Sequence, residues 1–353
     1  MRNIWLVVLL MASGAAQAAS FDCAKAKTPQ EKAICTSPKL SAADDSMATA
    51  YKAVLGSVRP EVAGEIRETQ RFWISQMALR CPERQAMAGN RTSEIFQETL
   101  LVECLLNYEE QRTKELQQIV QHISGVTFVW RSVTFTAPDD AETAATMRNG
   151  KTYGTLQASW PQASSSAPEW LAWNKAIAAE AYRMATADTD NSTGHWDKSM
   201  AVDMDTDLTV TINSISSKLV SSTVSNIWYG HGAAHANLNF IQFNWLLKEQ
   251  RQLKEDDLFR AKSGWKEKLA QVCDQSARAQ LGEMYADNPP AGKIPDAMYA
   301  VVGNPESWLL DAKGLTIAFE PYAVGCHACT PGPVTISWAD LKLFLQTSFV
   351  IPE

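Results

Sequence analysis

The 353-residue chain has no long apolar run beyond its first dozen residues, no excess of basic residues and no glycine-rich phosphate loop, and each absence removes a class of function. The run from Ile4 to Met11 is too short to span a bilayer, and no later stretch is long and apolar enough to do so. Lys and Arg total 32 against 39 Asp and Glu, a net charge of −7, so the basic face that nucleic-acid phosphates require is not expected. No serine nucleophile elbow, phosphate-cradling loop or dinucleotide fingerprint occurs. Internal repeats and low-complexity linkers are also missing. A domain boundary therefore has to be read from a change in hydrophobic period.

The N-terminus has the three parts of a secretory signal. Arg2 is its positive start, Ile4 to Met11 its apolar centre, and Ala16-Gln17-Ala18 a small-x-small cleavage site. Residues 1–18 are expected to be removed, leaving a periplasmic chain. Cys23 follows Asp22 without the small-residue run of a lipid-attachment site, so the mature chain should be soluble. Export places the seven cysteines where disulfides persist. Cys23, Cys35, Cys81 and Cys104 lie in the first third, and Cys273, Cys326 and Cys329 in the last quarter. Four cysteines allow three pairings, which spacing alone does not resolve, and the odd C-terminal count leaves one thiol free or open to an external partner.

The fold class is α+β, with a disulfide-linked all-α domain at 19–124 and an α+β domain of mainly antiparallel sheet and packed helices at 125–353. Thr28-Pro29-Gln30-Glu31 is a capping box with proline at the first helical position, which starts a helix over 29–35. A second helix opens at Ser41 and ends at Pro60. A third carries Val62, Ile66, Phe72, Trp73 and Met77 and stops at Cys81-Pro82. A long fourth helix is predicted over 92–121. After Gly125 alternation replaces helical spacing. Strands are predicted near 126–135, 155–160, 202–215, 219–229, 238–247, 308–310, 315–320 and 333–336, with helices over 167–184, 265–284 and 338–347. Charge divides along the same line. Residues 21–122 hold 13 basic against 14 acidic side chains, and 126–353 hold 18 against 25.

Phe21-Asp22-Cys23, Glu31-Lys32-Ala33-Ile34-Cys35, Leu40-Ser41 with Asp44 or Asp45 ahead of Tyr51, Trp73, Arg80-Cys81, and Cys104 with Tyr108, Arg112 and Leu116 follow one another in a pattern that resembles the LprI-type lysozyme-inhibitor domain. The resemblance implies an exported, disulfide-tied helical module of a family named for a lysozyme inhibitor. Trp160-Pro161, Tyr229-Gly230-His231-Gly232-Ala233-Ala234-His235, Asp256-Asp257-Leu258-Phe259 and Leu315 through Tyr322 resemble the RsiV-like extracytoplasmic domain. That family includes the lysozyme-binding sensor of an anti-sigma factor and domains appended to peptidoglycan deacetylases. Here Gly232-Ala233-Ala234-His235 replaces the usual Gly-Gly-Ala-His and keeps the histidine.

Candidate sites divide by chemistry. The first four cysteines are scattered over several helices, which suits structural bridges of roughly 2–4 kcal/mol each rather than a redox pair. Cys326-His327-Ala328-Cys329 has the spacing of a redox pair or half a zinc site, and His231 and His235 would complete a Cys₂His₂ set. A disulfide between two of Cys273, Cys326 and Cys329 is the preferred reading. His235 by itself suits a turn-fixing role. Asp188 through Gly194 departs from a calcium loop, with glycine at its seventh position and no glutamate at its twelfth. On a strand, Asp203, Asp205 and Asp207 would line three carboxylates along one face, either solvated or attracting a basic protein. Trp196, in the acidic loop, is a candidate to stack on a sugar or anchor a partner. The expected function is non-covalent recognition of lysozyme, another basic protein or peptidoglycan, with no enzyme activity, cofactor or metal and no nucleic-acid partner. The rivals are a zinc-dependent envelope hydrolase using His231 and His235 with Cys326 and Cys329, and a structural envelope protein.

Overall fold

A computed structural model describes residues 19–81, 94–146, 153–187, 195–285 and 292–352. The expected signal peptide, residues 1–18, and the segment from Asp188 to Gly194 lie outside the described residues. The chain divides into two compact units, one of residues 1–63 and 70–118 and the other of 64–69 and 119–353.

The first unit is helical. Its helices are α1 (Pro29–Thr36), α2 (Pro38–Ser57), α3 (Pro60–Arg80) and α4 (Glu94–Gln117). Thr28 starts α1 as its capping box requires. Its hydroxyl accepts from Glu31 N at 3.1 Å, and the Glu31 carboxylate accepts from Thr28 N at 2.9 Å. The backbone donors of Thr28 and Lys27 hold the Glu31 carboxyl below its ordinary range. Proline at the first turn of α1, α2 and α3 fixes φ where no intrahelical donor is lost. The bridge Cys23–Cys35 ties the leading turn to the end of α1, and Cys81–Cys104 ties the end of α3 to the middle of α4. Around them pack Ala33, Ile34, Leu40 and Leu105. Trp73 stacks on Tyr108 at 4.5 Å, and the Tyr108 hydroxyl donates to Trp73 O.

The long fourth helix ends sooner than its hydrophobic spacing predicts. Residues 120–123 form β1 (Val120–Ile123) instead of a last helical turn. The tight turn at Ser124 and Gly125, both with positive φ, folds β1 back on β2 (Val126–Pro138), and the cross-strand pairing overrides the helical period.

The second unit continues with α5 (Ala141–Thr146), β3 (Tyr153–Ala163), α6 (Pro168–Thr186), β4 (Met204–Ile215), β5 (Leu219–Gly230), β6 (Asn237–Leu246) and β7 (Arg251–Gln252). These seven strands form one sheet in sequence order. All pairs are antiparallel except β3 with β4, where α6 supplies the crossover. The α6 side chains Trp173, Ile177, Ala181 and Met184 are buried in one core with Phe128, Leu156, Leu208 and Val224 from the sheet. Then follow α7 (Glu255–Leu258), α8 (Trp265–Leu281), α9 (Asp296–Val302), β8 (Trp308–Leu310), β9 (Gly314–Ile317), β10 (Val334–Ser337) and α10 (Trp338–Leu341). Strands β8, β9 and β10 make a small antiparallel sheet. They share a second core with α8, in which Phe259 stacks on Trp265 at 4.4 Å and both meet Trp308 edge-on. Asn244 donates to Trp308 O at 2.7 Å, joining β6 to β8. The α+β class with a mostly antiparallel sheet is thus the observed one. Among the described residues, no helix is long and apolar enough to cross a membrane.

One group in the helical unit is electrostatically costly. Glu109 is fully buried, and neither of its carboxyl oxygens has a hydrogen-bond partner among the described residues. Burial, with the nearby Asp44 adding to it, pushes its carboxyl up to about 8. The folded chain therefore holds a proton that the unfolded chain releases near pH 4.5. The resulting stability is fully present below that pH and is lost as pH rises to about 8. Urea unfolding followed by helix circular dichroism should show resistance falling between pH 5 and 8. Glu109→Gln should flatten that slope and raise stability at pH 8 by up to a few kcal/mol; an unchanged slope would contradict the assignment.

Candidate functional site

Of the residues singled out by sequence, His231, Asp203 and Asp205 gather at one end of the seven-stranded sheet, where β2 and β5 finish and β4 and β6 begin. His231 follows β5 and its side chain is fully buried. Its Nδ1 lies 2.8 Å from Oδ2 of Asp139, which follows β2 and is equally buried. Nε2 faces Oδ2 of Asp205 at 3.4 Å. The backbone N of His231 donates to Asp203 O at 2.8 Å, so the imidazole is fixed from both strand ends that flank it. This geometry ties loops together. Nε2 itself makes no hydrogen bond among the described residues.

The three aspartates do not form one row. Asp203 lies before β4 with φ of 58°, and its carboxylate accepts from Asp140 N at 2.8 Å. That left-handed turn takes Asp203 out of the strand alternation. Asp205 accepts from both N and Oγ1 of Thr155 on the parallel neighbour β3. Gly154 beside it is dictated by crowding, because a Cβ there would sit 2.0 Å from Ala201 O. Asp207, two residues along the strand face, is the exposed member. A shared solvated stripe is thus replaced by one turn residue, one strand clamp and one exposed carboxylate.

Trp196 is half-buried rather than freely exposed. Its ring stacks on Trp160 at 5.4 Å and meets Tyr182 edge-on at 5.2 Å, packed against the α6 core. The hydrophobic area gained by covering Trp160 outweighs solvation of an indole in an acidic loop.

The zinc set does not assemble. Cys326 and Cys329 are joined to each other. Cys273 is the free thiol among the described residues, not a bridge member. It is fully buried on α8, and burial pushes it up to about 12, which keeps it un-ionised and unreactive. His235 turns away from His231. Its Nδ1 lies 2.9 Å from Ala236 O, as a turn-fixing residue would, and its ring lies 5.2 Å from that of His327. His327 in turn meets Tyr322 at 5.3 Å. No group of three or more metal-ligating side chains is present among the described residues. By chain entropy, the two helical-unit bridges restrict the unfolded chain by about 3 kcal/mol each, and the short Cys326–Cys329 loop by about 2 kcal/mol.

Three features escaped sequence reasoning: Asp139 as the partner of His231, the tilted ring contact of His327 with His235, and a groove at the opposite end of the sheet. The groove has a volume of about 660 Å³ and is lined by the β1–β2, β4–β5 and β6–β7 turns and the start of α6. Trp170 supplies an aromatic wall, with Glu169, Lys248, Gln250 and Ser217 around it. No spacing rule links these residues, since each belongs to a different turn.

Residues 23–116 match the family described as Lysozyme inhibitor LprI. Residues 256–339 match a second family, Protein of unknown function (DUF3298), which is as far as the comparisons carry the RsiV-like resemblance. Among solved structures, a member of the DUF3298 family from Bacteroides fragilis is 15% identical, over 64% of this chain and 96% of that one, with a TM-score of 0.44. A DUF3298 family protein from Pseudomonas aeruginosa is 12% identical, over 62% and 94%, with a TM-score of 0.39. No curated protein matches the sequence. The helical unit is therefore an LprI-type domain.

The buried Asp139–His231 pair predicts a specific pattern of stability. His231→Ala strands a buried carboxylate, a loss that ordinarily costs 3–5 kcal/mol. The double variant with Asp139→Ala should lose clearly less than the two single losses added together. Thermal unfolding of the four proteins measures this, and simple additivity would show that the pair is not coupled.

Proposed function

We propose that this chain is an exported, non-enzymatic binding protein of the lysozyme-inhibitor type, acting from the periplasm by non-covalent occlusion of its partner. The observation that carries this reading is the match of residues 23–116 to the LprI family. The disulfides of the helical unit suit an oxidising compartment. The second unit is read as an RsiV-like recognition domain, whose acidic surplus suits a basic partner such as lysozyme. Two of its chemistry-bearing side chains suit a structural role: His231 is enclosed, and Cys273 is buried and un-ionised.

The mature chain mixed with lysozyme should form a complex and slow lysis of cell walls. Complex formation should be faster at low than at physiological salt, because screening shortens to about 8 Å at 0.15 M. No complex and no protection at either salt would remove the inhibitor reading.

A second reading, a cell-wall glycan as ligand, is favoured by the groove beside Trp170. An indole wall with hydroxyl, amide and carboxylate groups suits a polar, uncharged sugar. Insoluble peptidoglycan should retain the chain in sedimentation. Substituting the exposed Lys248 and Gln250 by alanine should lower retention severalfold. Failure of the unaltered chain to sediment would discard this alternative.

A further inference from the structure

The Cys326–Cys329 bridge differs from the other two in exposure, span and neighbours. Cys326 is exposed and Cys329 half-buried, whereas Cys81 is 2% exposed and Cys23, Cys35 and Cys104 are half-buried. Exchange begins when an external thiolate reaches one sulfur, so access ranks the bridges. Span ranks them in the same order. The sequence separation is 3 here against 12 and 23 in the helical unit. Opening the short bridge therefore releases little chain and leaves both long cross-links intact.

The neighbours fit the same chemistry. His327 lies inside the ring that the bridge closes, and its imidazole meets those of His235 and the phenol of Tyr322. Cys273, enclosed in the second core, is held apart from this exchange.

We infer that Cys326–Cys329 is a site of thiol–disulfide exchange whose co-substrate is a protein dithiol, and that opening it frees His327 from His235 and Tyr322. One thiolate of the dithiol attacks Cys326 Sγ. The Cys326–Cys329 bond breaks, and its electron pair leaves on Cys329, which takes up a proton. The second thiol of the dithiol, on losing its proton, attacks the dithiol's own sulfur in the mixed disulfide and expels Cys326 as a thiolate, which is then protonated. Two electrons and two protons pass to this chain, and the dithiol departs as a disulfide. Run in reverse, the same steps oxidise a dithiol at the expense of the bridge.

The test uses the intact mature chain with graded dithiothreitol and, in a parallel arm, with reduced thioredoxin as the protein dithiol. Each reaction is quenched in acid, alkylated and mapped by peptide mass spectrometry. Cys326 and Cys329 should label at least about tenfold faster than Cys81 and Cys104 in both arms, with far-ultraviolet circular dichroism unchanged. Thioredoxin whose second active-site cysteine is replaced by serine should be trapped by the intact chain as a mixed disulfide at Cys326, with Cys329 released as a thiol. The proposal is overturned if this bridge opens together with or after Cys81–Cys104, or opens only as ellipticity is lost. It is equally overturned if thioredoxin fails to reduce it and the single-cysteine thioredoxin is not trapped.

Discussion

The packing of α6 over the sheet is the constraint from which the second unit follows. Trp173, Ile177 and Ala181 are fully buried there, so the helix must return the chain to the sheet in the direction it left. That return makes β3 and β4 the parallel pair in an otherwise antiparallel sheet. Parallel pairing places the start of β4 beside the start of β3. Asp205 thereby meets Thr155, and the turn before β4 comes within reach of the chain leaving β2. The His231 enclosure is a consequence of this topology. Without the crossover, Asp139 and His231, 92 residues apart, would have no reason to meet.

Local chemistry was legible in the sequence, and long-range closure was not. Thr28 and Glu31 make a capping box from four consecutive residues, and the structure contains both of its hydrogen bonds. Pro60 ends one helical stretch and begins the next because its missing donor is harmless only in a first turn. Alternation along β4 correctly buries Thr206, Leu208 and Val210. The same alternation misplaces Asp203, because a left-handed residue breaks the two-residue period and sequence carries no mark of it when the residue is not glycine. Trp196 was misread for a related reason. Its partner Trp160 is 36 positions away, and local polarity says nothing of a ring that will stack there. Cys273 illustrates the limit for thiols. Three cysteines allow several pairings, and only the α8 core shows that this one is enclosed.

The distribution of carboxylates decides which part of the net charge could act on a partner. Asp139 is spent on His231, Asp257 on Arg251 through two bonds of 2.7 Å, and Asp274 on Arg278 and the Tyr285 hydroxyl. The guanidinium of Arg251 holds Asp257 ionised well below the usual carboxylate range, so that pair is internally neutral at any ordinary pH. Glu320 moves the other way, raised by burial although Phe240 N donates to it. Asp140 is different. It is exposed, and the backbone donor of Thr143 keeps its carboxyl low, so it remains charged where a partner could approach. Exposed Asp207 lies on the strand leading away from the same end. A field screened over about 8 Å is felt only from such outward groups. The acidity counted along the chain therefore overstates what a basic protein would meet. At the β2 and β4 terminus, folding uses Asp139 and Asp205 in buried or half-buried contacts, while Asp140 and Asp207 are exposed.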